Sequence, residues 1–158
     1  MKTIKKIQYY MVPILLLIVS FATVFSQTIW VDEAYSLELA KHSYMNLIKI
    51  DALDVHPPLY YIILRTGFLI FGVSENFIWI GRFVSLVPYV ILMIIGFTVI
   101  KKRYSKTIAY LFNVFIMGMP QMLRYSTEIR MYSWGMLFVT CAFLQMKPIV
   151  EKINLKAM

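Results

Sequence analysis

Cysteine occurs once, at Cys141, so no intrachain disulfide can form and no cysteine-ligated metal centre can be built. Charge is also scarce. Asp, Glu, Lys and Arg make up 15% of the 158 residues, against about 25% in an ordinary soluble domain. Low-complexity linkers and internal repeats are absent, so the chain reads as one module. What fills the space is apolar. Residues of the AVILMFWYC set reach 60%, where about 45–50% is usual, and mean hydropathy is +0.70. These proportions exclude a disordered chain and argue against a soluble single-domain enzyme. Acids are the scarcer charge: 8 against 16 Lys and Arg, for a net +8.

A net positive charge invites a nucleic-acid partner, but the positions of the charges argue against one. Apolar runs lie at about 10–29, 58–72, 77–100, 107–122 and 131–146. The run 58–72 is short of the roughly 20 residues needed to cross a bilayer and carries Arg65 mid-run. The other four give an all-α polytopic membrane protein with spans at about 10–29, 78–100, 107–122 and 132–146. With the N-terminus inside, Lys2, Lys5, Lys6, Lys101, Lys102, Arg103, Lys106, Lys147, Lys152 and Lys156 all fall on the inner side. Letting 58–72 span as well would put the Lys101–Lys106 cluster outside. Both termini are therefore expected in the cytoplasm, and the chain in the plasma membrane. Asp32, Glu33, Glu38, Asp51, Asp54, Glu75 and Glu128 then lie outside, and only Glu151 inside. Residues 1–26 also resemble a signal peptide with cleavage after Ser26, but the apolar core is long and Trp30 marks an interfacial end, so an uncleaved span is expected.

The outer loop, 30–77, carries two expected surface helices. Over 34–50, Ala34, Leu37, Ala40, Tyr44, Leu47 and Ile48 recur at helical spacing. Pro57 and Pro58 hold His56 extended and start a second helix over 58–72, which Gly72 ends. A second, short outer loop runs from Gln121 to Tyr132.

Three constellations can carry chemistry. Asp32-Glu33 is either a helix cap, with Asp32 as N-cap, or a general base supported by its neighbour. Asp54-Val-His56 places two polar groups on one side of an extended segment, as ordinary loop residues or as ligand or metal contacts. Arg124, Glu128, Arg130 and Tyr132 form either an interfacial belt or a phosphate-recognition set, with Glu128 holding an arginine or a metal. All three share one side of the membrane in this topology. Arg82 and Arg65 read first as snorkelling or pairing groups.

In order along the chain, Trp30-Val-Asp32-Glu33-Ala34, His56-Pro-Pro-Leu-Tyr-Tyr61, Phe71-Gly72, Arg82-x-x-Ser85 and Glu128-x-Arg130-Met-Tyr132 resemble the GT-C membrane glycosyltransferases. The group most similar is the protein mannosyltransferase and aminoarabinose transferase superfamily, in its bacterial branch. The resemblance implies transfer of a sugar from a polyprenyl-phosphate carrier to an acceptor hydroxyl on the outer face, with inversion. It implies Asp32 as general base and Glu33 as its support. His56 and Glu128 would line the pocket, with a divalent cation between them as a candidate cofactor. Arg124, Arg130, Tyr132 and Arg82 would bind the donor. Family members are longer, with about eleven to thirteen spans, so the chain resembles the N-terminal part of such an enzyme. The alternative is a non-catalytic membrane subunit or remnant that binds lipid-linked sugar or a partner chain supplying further spans. Membrane lipid, the polyprenyl-phosphate sugar and an acceptor of unstated identity are the expected partners.

Overall fold

The computed structural model describes residues 6–25, 28–54, 56–72 and 77–156, with side chains described from residue 7 to residue 146. Lys2, Lys5, the Ser26 cleavage position and Glu75 lie outside the described residues, as do the side chains of Lys6, Lys147, Glu151, Lys152 and Lys156.

Every regular element among the described residues is helical. Helix α1 covers Lys6–Thr23, α2 Val31–Lys41, α3 Tyr44–Asp51 and α4 Leu59–Phe71. Helix α5, Phe77–Ile95, continues through a π-turn at Gly96–Ile100 into α6, Lys101–Arg103. Helices α7 Lys106–Gly118, α8 Pro120–Tyr125 and α9 Tyr132–Lys156 follow.

The long helices form an antiparallel bundle around α5. Tyr9 of α1 packs with Ile100 and Ala109 at one end, while Val24 packs with Leu86, Tyr89 and Met117 further along. Helices α1 and α7 therefore run together and α5 runs against them. Trp134 of α9 donates to the Val84 carbonyl, and Arg103 donates to the Leu144 carbonyl, so α9 runs with α5. The largest core lies at the loop end, where Leu37, Ala40, Leu47, Tyr60, Tyr61, Leu64, Phe68, Val84 and Ile129 are buried together. It clamps α2, α3 and α4 onto the end of α5.

Several expectations change. Only Phe77–Arg103, 27 residues long, is long and apolar enough to cross a membrane among the described helices. The expected span 107–122 breaks at Met119, because Pro120 cannot continue the α7 hydrogen-bond ladder and instead starts α8. The expected helix 34–50 is two helices, because Ser43 is extended and its hydroxyl caps α3 at the Asn46 N–H. Helix α2 starts at Val31, so Asp32 is not its N-cap; Trp30 holds that position. Ala34, Tyr44 and Ile48 are exposed, while Glu33, Ser36 and Leu39 turn inward. Helix α4 matches its expected limits and ends at Gly72, whose φ of 82° suits a residue without Cβ. Arg65, expected as a snorkelling or pairing group, donates to the Ala40 and Lys41 carbonyls and so caps the C-terminus of α2.

Candidate functional site

The site is built from three segments distant in sequence, and Glu33 is the group that joins two of them. Its side chain is 1% exposed. One carboxylate oxygen accepts from the Trp30 N–H at 3.1 Å, and the other from the Ile129 N–H at 2.9 Å. The first contact satisfies a free donor at the start of α2. The second ties the loop after α8 to the first outer loop. Ile129 is fully buried against Leu37 and Gly81, where a Cβ on residue 81 would meet the Ile129 side chain at 2.9 Å. The clamp sets the position of Arg130.

Arg130 sits at the centre. One terminal nitrogen lies 3.1 Å from His56 Nε2 and the other 3.7 Å from Asp32 Oδ2. Accepting from a guanidinium requires a lone pair on Nε2, so the imidazole proton sits on Nδ1 and is donated to Asp54 Oδ2 at 3.0 Å. The chain Asp54–His56–Arg130–Asp32 thus has fixed donor directions. Asp32 is its open end, with 65% of its side chain exposed against 8% for Arg130. Arg130 also lies 5.8 Å from the centroid of the half-exposed Tyr132 ring.

Arg124 and Glu128 stand beside this chain. The Arg124 guanidinium lies over the Trp30 ring at 4.1 Å, and its Nε is 3.7 Å from Glu128 Oε2. Glu128 is buried, and burial pushes its carboxyl above the usual carboxylate range, with Arg124 opposing the shift and Glu33 adding to it.

Several buried polar atoms here have no hydrogen-bond partner among the described residues. They include Arg130 Nε, Tyr61 Oη, both oxygens of Asp51, and Glu128 Oε2, whose one contact is the 3.7 Å ion pair with Arg124. Burial drives the Asp51 carboxyl above its ordinary value, and Asp54 adds to the shift while His56 opposes it. Burial also pushes the Tyr61 hydroxyl up to about 12. Asp51, Tyr61 and Trp30 are site residues that the sequence motifs did not single out for a role. Asp51 precedes Asp54 by one helical turn, and Tyr61 closes the run that begins at His56, so their positions carried the only signal.

Arg82 does not join this cluster through the bond that defines its position. It is buried and donates to the Val24 carbonyl at 2.6 Å, stapling α5 to the end of α1. The expected metal pair does not fit either. The Nε2 lone pair of His56 faces Arg130, and Glu128 faces Arg124, so a cation at either position meets a guanidinium. Among the described residues no group of three or more His, Cys, Asp or Glu gathers to hold a metal ion.

An apolar cleft opens next to the polar chain. A cavity of about 270 Å³ is lined by Pro57, Leu59, Tyr60, Met131, Trp134, Gly135 and Phe138. Pro57 and Met131 are the direct neighbours of His56 and Arg130. A second apolar cavity of about 270 Å³ lies between α4 and α5 and shares Trp134 in its lining. The Trp134 indole donates to the Val84 carbonyl at 3.1 Å. No protein-family model, curated protein or solved structure matches the chain.

Proposed function

We propose that the chain is a membrane glycosyltransferase module that moves a sugar from a polyprenyl-phosphate carrier to an acceptor hydroxyl, with inversion. The observation that carries this reading is the meeting of Asp32, His56 and Arg130 from three distant segments, beside an apolar cleft that starts at Pro57 and Met131. A polyprenyl phosphate needs both halves of that arrangement: fixed cations for the phosphate and an apolar channel for the tail.

The roles follow from position. Asp32 is the exposed carboxylate, free to take the proton of an incoming hydroxyl. Arg130, held between His56 and Asp32, supplies a fixed positive charge beside the carrier phosphate, and the more exposed Arg124 adds a second cation at the rim. Phosphate is the leaving group, so fixed cations stabilise the charge that develops and no strong general acid is required. Asp54 and His56 position Arg130, and Glu33 positions both outer loops. No step is assigned to a metal. The four-span topology belongs to this reading, with α1 and α7 shorter than the hydrocarbon core and α5 crossing it.

The alternative is a membrane subunit that binds lipid-linked sugar without turning it over. The same cleft serves both, so binding separates them from neither, but tests the shared part. Wild-type full chain in detergent should bind a labelled polyprenyl phosphate. Arg130→Gln should weaken binding about tenfold or more through loss of a charge-assisted pair. Gly135→Leu should do so by filling the cleft, since a Cβ at Gly135 meets nothing within 4 Å and the fold tolerates it. Equal binding by wild type and Gly135→Leu would remove the cleft from the account.

A further inference from the structure

The opposite end of the bundle marks the inner side in this reading but takes no part in sugar transfer. There α6 ends and α7 begins, and Lys101, Lys102, Arg103 and Lys106 are all exposed within one turn region. Lys101 and Lys106 converge on a single ring, their ammonium groups 5.8 Å and 5.1 Å from the centroid of the buried Tyr9. Arg103 is held by the Leu144 carbonyl of α9. Three of the four cations are thus fixed in place, yet none has an ion-pair partner among the described residues. Lys102 and Arg103, with Thr98 and Val99, line a cavity of about 470 Å³. One turn earlier Ile94, whose carbonyl accepts from the Thr98 hydroxyl at 2.6 Å, exposes its apolar side chain.

We infer that this end binds the phosphodiester headgroup of an anionic membrane phospholipid. Lys102 and Arg103 meet the phosphate, and an acyl chain follows the Ile94–Thr98 side of α5. The complementarity is double. The cations need an anion, and the exposed Ile94 one turn away suits a hydrocarbon tail, which a free phosphate lacks. The inference rests on the membrane topology of the proposed function but not on sugar transfer, and involves none of the residues at the other end.

The test is lipid retention by the full chain. The protein is purified in maltoside detergent and mixed with equal amounts of phosphatidylglycerol and phosphatidylcholine, and retained lipid is read by native mass spectrometry. Phosphatidylglycerol should be retained in clear preference. Lys102→Gln should reduce that retention roughly fivefold, and Lys102→Gln with Lys106→Gln further. Lys41→Gln, an exposed lysine of α2 paired with Glu38, should leave it unchanged. Circular dichroism checks that each variant is folded. Equal retention of the two lipids, or an equal loss in Lys41→Gln, would overturn the inference. Displacement of phosphatidylglycerol by inorganic phosphate would also overturn it, as the mark of a free-anion site.

Discussion

Asp51 is the most costly side chain at the loop end. It ends α3, where the helix dipole disfavours an anion, and both its oxygens are buried without a partner. Its folded pKa lies above the ordinary carboxylate value, first because of burial and then because of Asp54. The folded state therefore holds the Asp51 proton at pH values where the unfolded chain has lost it. Stability from this group is full below the ordinary carboxylate range and falls as pH rises through the raised folded value. Glu128 shifts in the same direction and adds to the slope. Asp51→Asn should be more stable than wild type at neutral pH and lose less stability between acidic and neutral pH. Unfolding followed at several pH values measures both, and parallel curves would contradict the account. The sequence showed Asp51 only as one more outer acid. Its burial depends on α4 folding back over α3, which no local spacing encodes. Asp32 and Arg130, by contrast, stand out in the sequence through the motifs around them, and the fold brings them within 3.7 Å of each other. The link between them was not legible, since it depends on Glu33 reaching the Ile129 N–H across the fold.

The helices were legible where periodicity and punctuation agree. Helix α4, with prolines before it and Gly72 after it, matches its expected limits. The breaks at Ser43 and Pro120 were missed because apolar content ran straight through both. Ser43 and Pro120 were the available signals, and hydropathy outweighed them. The contact between α7 and the π-turn was also beyond periodicity. Asn113 is fully buried in α7 with neither amide atom partnered, and it lies directly on Gly96. A Cβ at Gly96 would overlap the Asn113 amide. Gly96→Ala should therefore destabilise the bundle by about 1–3 kcal/mol, the usual cost of overpacking. Adding Asn113→Ala should recover most of the loss, because it removes the overlapping group together with its unsatisfied atoms. Reversible unfolding in detergent tests the pair, and strict additivity of the two substitutions would show that they do not touch.

Among the described side chains, the acids lie at one end of the bundle axis. Carboxylates gather with His56, Arg124 and Arg130 at the loop end, and Lys101 to Lys106 lie at the other. The proposed topology places the loop end outside. In a Cys141→Ser background, Leu53→Cys, at an outer-loop position 92% exposed, should react with an impermeant maleimide in intact cells. Lys102→Cys should react only after the membrane is opened. The reverse pattern would invert the topology and move the site to the cytoplasm.

Sugar transfer with Asp32 as base is the function proposed for the loop end. The most direct measurement is transfer of labelled sugar from a polyprenyl-phosphate donor in membranes containing the chain, with the anomeric configuration of the product read by NMR. The expected product is inverted at the anomeric carbon, formed by wild type and reduced by at least about a hundredfold in Asp32→Asn. A retained configuration, or Asp32→Asn as active as wild type, would contradict it.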